Sequence, residues 1–153
     1  MEFEGGVQSN PSIDIIHACE SILTKIAADF VGFALQNREG PDVRWHYAAG
    51  NSNDKYKKIT VRYGKGIAGK VIATGSPITI NHFPENIHGK ALEYPIMLAE
   101  KLVFAFAVPI FYKGAPKGVL LVGRRTNTPI NEREQNIVRQ AALTLEGMIS
   151  SLF

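Results

Sequence analysis

The chain has 153 residues, 45% of them apolar and 20% charged, which describes one globular domain able to bury a core without staples. Its net charge of +3 comes from basic residues spread along the sequence, so nothing favours nucleic acid as a partner. A single cysteine excludes a disulfide framework and fits a reducing cytoplasm. The longest apolar run, 102–112, is too short to cross a bilayer. Residues 1–10 are acidic and polar rather than basic and then apolar, so no secretory signal is read there.

Residues 1–11 read as a flexible tail and 12–153 as the domain. Asn10 or Ser12 caps a helix predicted to run to about residue 28, with Ile15, Cys19, Ile22, Leu23, Ile26 and Phe30 recurring on one stripe. Cys19 sits on that stripe as a packing residue. Two strands follow, 30–36 and 43–49, joined by a turn-rich linker of hairpin length. In the second, strict alternation puts Val43, Trp45 and Tyr47 on one face and Arg44 and His46 on the other. Trp45 therefore points inward. A buried indole N–H wants an acceptor, which a core or a ligand can supply.

After a lysine-bearing polar loop, 51–58, comes the segment on which the reading turns. An alternating strand at 59–63 leads through Gly64 and Gly66 into an apolar helix, 67–74. Gly75 and Pro77 stop that helix, and a short strand follows at 78–80. Gly66, at the expected cap position, has no side-chain oxygen. The first N–H groups, on Ile67, Ala68 and Gly69, are left without a local acceptor and form either an anion seat or a solvated turn.

The stretch 81–101 is long and irregular, a length that in compact domains usually carries function. Within it Pro95 opens a short helix, leaving the N–H groups of Ile96 and Met97 unpaired. A hairpin, 103–111 with 118–124, turns around 113–117. A last helix starts at Asn131, with Glu134 completing a capping box. The order implies an α+β domain. A mostly antiparallel sheet of five or six strands carries the N- and C-terminal helices on one face and a ligand pocket on the other.

Several motifs fail on inspection. Gly64-x-Gly66-x-x-Gly69 lacks the alternating strand–helix order of a dinucleotide fold, and Gly64 to Lys70 lacks the Ser/Thr of a Walker loop, because Val71 follows. Of the four histidines (His17, His46, His82 and His88) none stands at zinc spacing. No nucleophile–base constellation appears, so the chain reads as a binding module and not an enzyme.

Residues 64–80, GKGIAGKVIATGSPITI, resemble the G-x-G-[IL]-[AV]-G-x-V-x-x-x-G-x-P-x-x-I signature of GAF domains. Val108-Pro109-Ile110 and Gly118-Val119-Leu120 resemble their paired late strands, and the similarity covers residues 12–152. The thiol-reductase branch uses several cysteines and the bilin branch one at the pocket; Cys19 serves neither. Length, Trp45, Gly66-Ile67-Ala68 and Tyr94-Pro95-Ile96 match the stand-alone GAF nitrate receptors of bacterial nitrate- and oxygen-responsive two-component systems. The resemblance implies a cytoplasmic receptor that binds nitrate through Trp45, Ile67, Ala68, Tyr94, Pro95 and Ile96. It would modulate a sensor histidine kinase in trans, with no cofactor besides the ligand nitrate and no membrane or nucleic-acid partner. The end helices also offer a homodimer interface. A GAF sensor for an organic metabolite or haem is the alternative. A weakly hydrated monovalent anion suits neutral N–H donors with no lysine or arginine assisting, whereas phosphate and sulfate would lose more hydration than such donors return.

Overall fold

Successive side chains along each strand point to opposite faces of the sheet, and the two faces are covered by different helices. In the computed structural model, which describes residues 11–149 and 152, helix α1 (Pro11–Lys25) precedes strands β1 (Phe30–Gln36) and β2 (Val43–Ala49). Strand β3 (Thr60–Val61), helix α2 (Gly66–Thr74) and strand β4 (Ile78–Ile80) follow. The chain continues with α3 (Pro95–Ala99), β5 (Phe104–Tyr112), β6 (Ala115–Arg124) and α4 (Glu132–Glu146). The strands form one sheet in the order β3-β2-β1-β6-β5-β4, every neighbouring pair antiparallel. The tail expected over residues 1–11 and the cap at Asn10 lie outside the described residues up to Pro11, where α1 begins.

One face of the sheet presents Val31, Phe33, Phe104, Phe106, Val108, Leu120 and Val122. Ile15, Cys19 and Ile22 of α1 and Val138, Ala142 and Leu145 of α4 pack on them. Burying each such aliphatic or aromatic side chain contributes roughly 1.5–3 kcal/mol. The opposite face presents Ala34, Ala105, Ala107, Val119 and Leu121, and is covered by Ile67, Ala68, Val71 and Ile72 of α2 with Ile96 and Met97 of α3. Ala34, Ala105 and Ala107 leave room there for the side chains of the short helices. The end helices thus share one face, as the sequence implies, and the candidate site falls on the other.

One expectation fails. Trp45 and Tyr47 do not share a face, because Phe33 pairs with Tyr47 while its neighbour Ala34 pairs with Trp45, leaving His46 as an extra residue in β2. This bulge reverses the alternation. Trp45 packs with the α2 side, whereas Tyr47 turns to the α1 side, 6.0 Å from the Phe33 ring and hydrogen-bonded to Ser12 at 2.9 Å.

Smaller differences concern element ends. The strand expected at 59–63 forms ladder pairs only over Thr60–Val61. The late hairpin is longer than predicted, since Lys113 and Gly114 both take positive φ (51° and 81°) and close a two-residue turn that matches the strand twist. Helix α1 stops at Lys25, short of the predicted end, and Phe30 does not continue its stripe but opens β1 and packs in the α2-side cluster. At α4 both halves of the capping box form: Asn131 Oδ1 accepts from the Glu134 N–H, and Glu134 Oε1 accepts from the Asn131 N–H, each at 2.9 Å.

Candidate functional site

The start of α2 is bare of caps. Lys65, not Gly66, takes the extended cap conformation (φ −118°, ψ 150°), one residue earlier than predicted, and its side chain makes no capping bond. The N–H groups without an intrahelical acceptor in the first turn are therefore those of Gly66, Ile67 and Ala68, and Gly69, expected among them, is not. Gly66 itself has φ +62°, and a Cβ placed on it would lie 3.2 Å from the Glu93 carbonyl and 3.2 Å from Val61 Cγ1. Only glycine fits both the dihedral and the approach. That approach sets the first turn of α2 against the residue that precedes Tyr94. The helix ends as expected, with Gly75 at φ +65° and its N–H donating to the Val71 carbonyl at 2.8 Å.

Tyr94 caps α3, Pro95 occupies its first turn, and no side chain caps it. Here the expectation needs correcting. The Met97 N–H is not unpaired but donates to the Tyr94 carbonyl at 3.0 Å, and Leu98 shares the same acceptor at 3.3 Å. Among the described residues the Ile96 N–H is the one left at this end. Trp45 is 1% exposed and lies against Gly32, where a Cβ would come within 2.9 Å of the indole. No hydrogen bond joins its N–H to another described residue, but the fully enclosed side-chain polar atom left without a partner is Glu100 Oε2, not this N–H.

Trp45, Ile67, Ala68, Tyr94 and Ile96 all belong to one buried cluster, and Pro95 sits half-buried at its edge. Residues up to 51 positions apart in sequence are thereby brought to one side of the sheet, where side chains from the first turns of α2 and α3 belong to the same apolar cluster. A cation also stands at this cluster, contrary to expectation. Half-buried Lys70 donates from Nζ to the Tyr94 hydroxyl at 3.0 Å, and that hydroxyl donates to the His88 carbonyl at 2.9 Å. In the sequence, Lys70 stands out only at the lysine position of a Walker loop. Its position one turn after Ile67 on the same helix was the signal available.

The family model for the GAF domain matches residues 15–150. The chain is a GAF domain. Among solved structures it is similar to a hypothetical protein of S. aureus, with 33% identity over 78% of this chain and 98% of that one (TM-score 0.72). It is also similar to an NreA protein of Staphylococcus aureus mutated in its nitrate binding site, with 30% identity over 84% and 98% (TM-score 0.75). The GAF domain of a phosphoenolpyruvate-protein phosphotransferase from Coxiella burnetii shares the fold alone, at 19% identity over 95% and 85% (TM-score 0.79). No curated protein sequence matches.

Elsewhere this GAF domain offers little chemistry. His17, His82 and His88 are exposed, and His82 stands edge-on to Phe104 at 4.7 Å. Burial, then the charge of Arg44, lowers the pKa of His46. Among the described residues no group of three His, Cys, Asp or Glu side chains is placed to hold a metal. Burial, followed by the charge of Glu20, pushes the Cys19 thiol up to about 12, so it is an inert packing group. A large open groove of about 760 Å³ runs between α1 and α4, lined by Ile22, Lys25, Arg133, Asn136 and Gln140. It contains none of the predicted site residues and lies on the opposite face of the sheet. Among the described residues no helix is long and apolar enough to cross a membrane.

Proposed function

We propose that this GAF domain is a nitrate receptor whose ligand sits between the first turn of α2, the Ile96 N–H and the Trp45 indole. The observation that supports this reading is that the starts of α2 and α3 lack side-chain caps while Ile67, Ala68, Ile96 and Trp45 share one apolar cluster. Similarity to an NreA protein described by its nitrate binding site supports the choice of anion. Nitrate is planar, monovalent and weakly hydrated. Each N–H bond to it is worth about 1.5–3 kcal/mol net because the acceptor is charged. Tyr94 and Pro95 wall the site rather than donate to it, since the Tyr94 hydroxyl is already committed to His88 and Lys70. The role is binding, not catalysis.

The output belongs to the same proposal. Resemblance of residues 64–80 and 94–96 to the stand-alone GAF nitrate receptors supports a cytoplasmic protein that modulates a sensor histidine kinase according to nitrate occupancy. A ligand-dependent shift in affinity for such a partner must be matched by a partner-dependent shift in nitrate affinity. Calorimetric titration with nitrate, chloride, sulfate and phosphate tests the first step. Nitrate alone should produce saturable heat. No binding up to about 1 mM, where the free energy would be only about −4 kcal/mol, overturns the reading. Autophosphorylation of the kinase, assayed with this protein with and without nitrate, tests the second.

A further inference from the structure

The ammonium of Lys70 has a phenol as its partner, not a carboxylate. Both ion pairs among the described residues, Arg124 with Glu134 and Arg125 with Glu100, lie elsewhere. Nζ stands 5.1 Å from the Tyr94 ring centroid, a separation that the 3.0 Å bond to the hydroxyl already imposes, so the hydroxyl contact is the one that orders the side chain. Tyr94 is 3% exposed and its O–H continues the chain of bonds to the His88 carbonyl. Three pieces of the domain meet at this hydroxyl: α2 through Lys70, the loop through His88, and the cap of α3 through Tyr94. Between His88 and Tyr94, Ala91 packs against the buried cluster and its neighbours are exposed. Lys90, Leu92 and Glu93 are exposed, Leu92 at 82%, and the segment's backbone bonds are local, Glu93 to Lys90 and Tyr94 to Ala91.

We infer that Lys70 is a latch for this loop and the source of charge at the proposed anion site. By holding the Tyr94 hydroxyl it fixes the segment 88–94, and with it the cap from which α3 presents the Ile96 N–H. Its own charge has no counter-ion among the described residues, so it is free to act on an anion held at the start of the same helix. Lys70 is a positioning residue: no contact with the ligand is required of it. This second role rests on the nitrate reading, whereas the latch does not.

The test compares wild type with Lys70→Met, Lys70→Arg and Tyr94→Phe. Amide hydrogen exchange is measured first on the ligand-free proteins. Peptides spanning 86–94 should exchange several-fold faster in Lys70→Met and Tyr94→Phe than in wild type, while strands β5 and β6 stay protected. Unchanged exchange at 86–94 overturns the latch whether or not nitrate binds. Calorimetry with sodium nitrate at two ionic strengths follows. Lys70→Met should weaken binding roughly tenfold and reduce its salt dependence, and Lys70→Arg, which keeps the charge, should recover most of the loss. Equal affinity and equal salt dependence in Lys70→Met overturn the charge role. If wild type itself binds no nitrate, the receptor reading and the charge role fall together, and the exchange data still decide the latch.

Discussion

Replacing Trp45 by phenylalanine separates donation from packing at the proposed site. The substitution keeps an aromatic ring against Gly32 and removes the indole N–H, a donor with no acceptor among the described residues. If that N–H bonds the anion, its loss removes about 1.5–3 kcal/mol, so the dissociation constant for nitrate should rise roughly 10- to 150-fold. The packing cost is bounded separately. Complete truncation of a buried tryptophan costs about 3–5 kcal/mol, and loss of one ring costs a fraction of that. The variant should therefore fold, with a lower melting temperature. Calorimetry with nitrate in chloride-matched buffer reads the affinity, and a thermal melt reads the fold. Since Trp45 is the only tryptophan, quenching of wild-type emission by nitrate gives an independent titration. A folded Trp45→Phe protein that binds nitrate as tightly as wild type refutes the donor ring, and Trp45 is then core filler.

Other expected outcomes follow from the same geometry. Gly66→Ala forces a left-handed dihedral on alanine and a 3.2 Å contact with Glu93, so urea denaturation should show a loss of about 1–2 kcal/mol and nitrate affinity should fall as the two donor ends separate. Glu134, joined to Arg124 at 2.6 Å in a buried pair, has its carboxyl held below 4.5, chiefly by the Arg124 hydrogen bond. Its folded pKa lies below the unfolded one, so its stabilisation is full above about pH 4.5 and lost as pH falls through the folded value. Glu134→Gln should thus cost roughly 3 kcal/mol at pH 7 in chemical denaturation, and its deficit against wild type should shrink in acid. Cys19, fully buried with its thiol pushed up to about 12, should resist alkylation at pH 8 in the folded protein, as read by mass spectrometry. Cys19→Ser should leave nitrate binding unchanged; loss of binding there would reinstate thiol chemistry.

Local signals were enough for most of the fold. The glycines at 64, 66 and 75, Pro95 in the first turn of α3, and the Asn131–Glu134 box each act over a few residues, so sequence alone places the ends they govern to within a residue or two. Helical stripes on α1 and α4 likewise announce the face on which they pack. Residues 64–80 also carried enough of the GAF pattern to name the family.

What sequence could not supply depends on partners far along the chain. His46 bulges because Phe33 and Ala34 pair with Tyr47 and Trp45, a register that periodicity within β2 does not contain, and so Tyr47 went to the wrong face. Lys70 reaches Tyr94 across 24 positions, and the Glu93 carbonyl limits Gly66 across 27. Backbone propensity sets where elements start and stop because its interactions span a turn. Which groups meet around a buried site is set by strand register and close packing, and those exist only once the chain has folded.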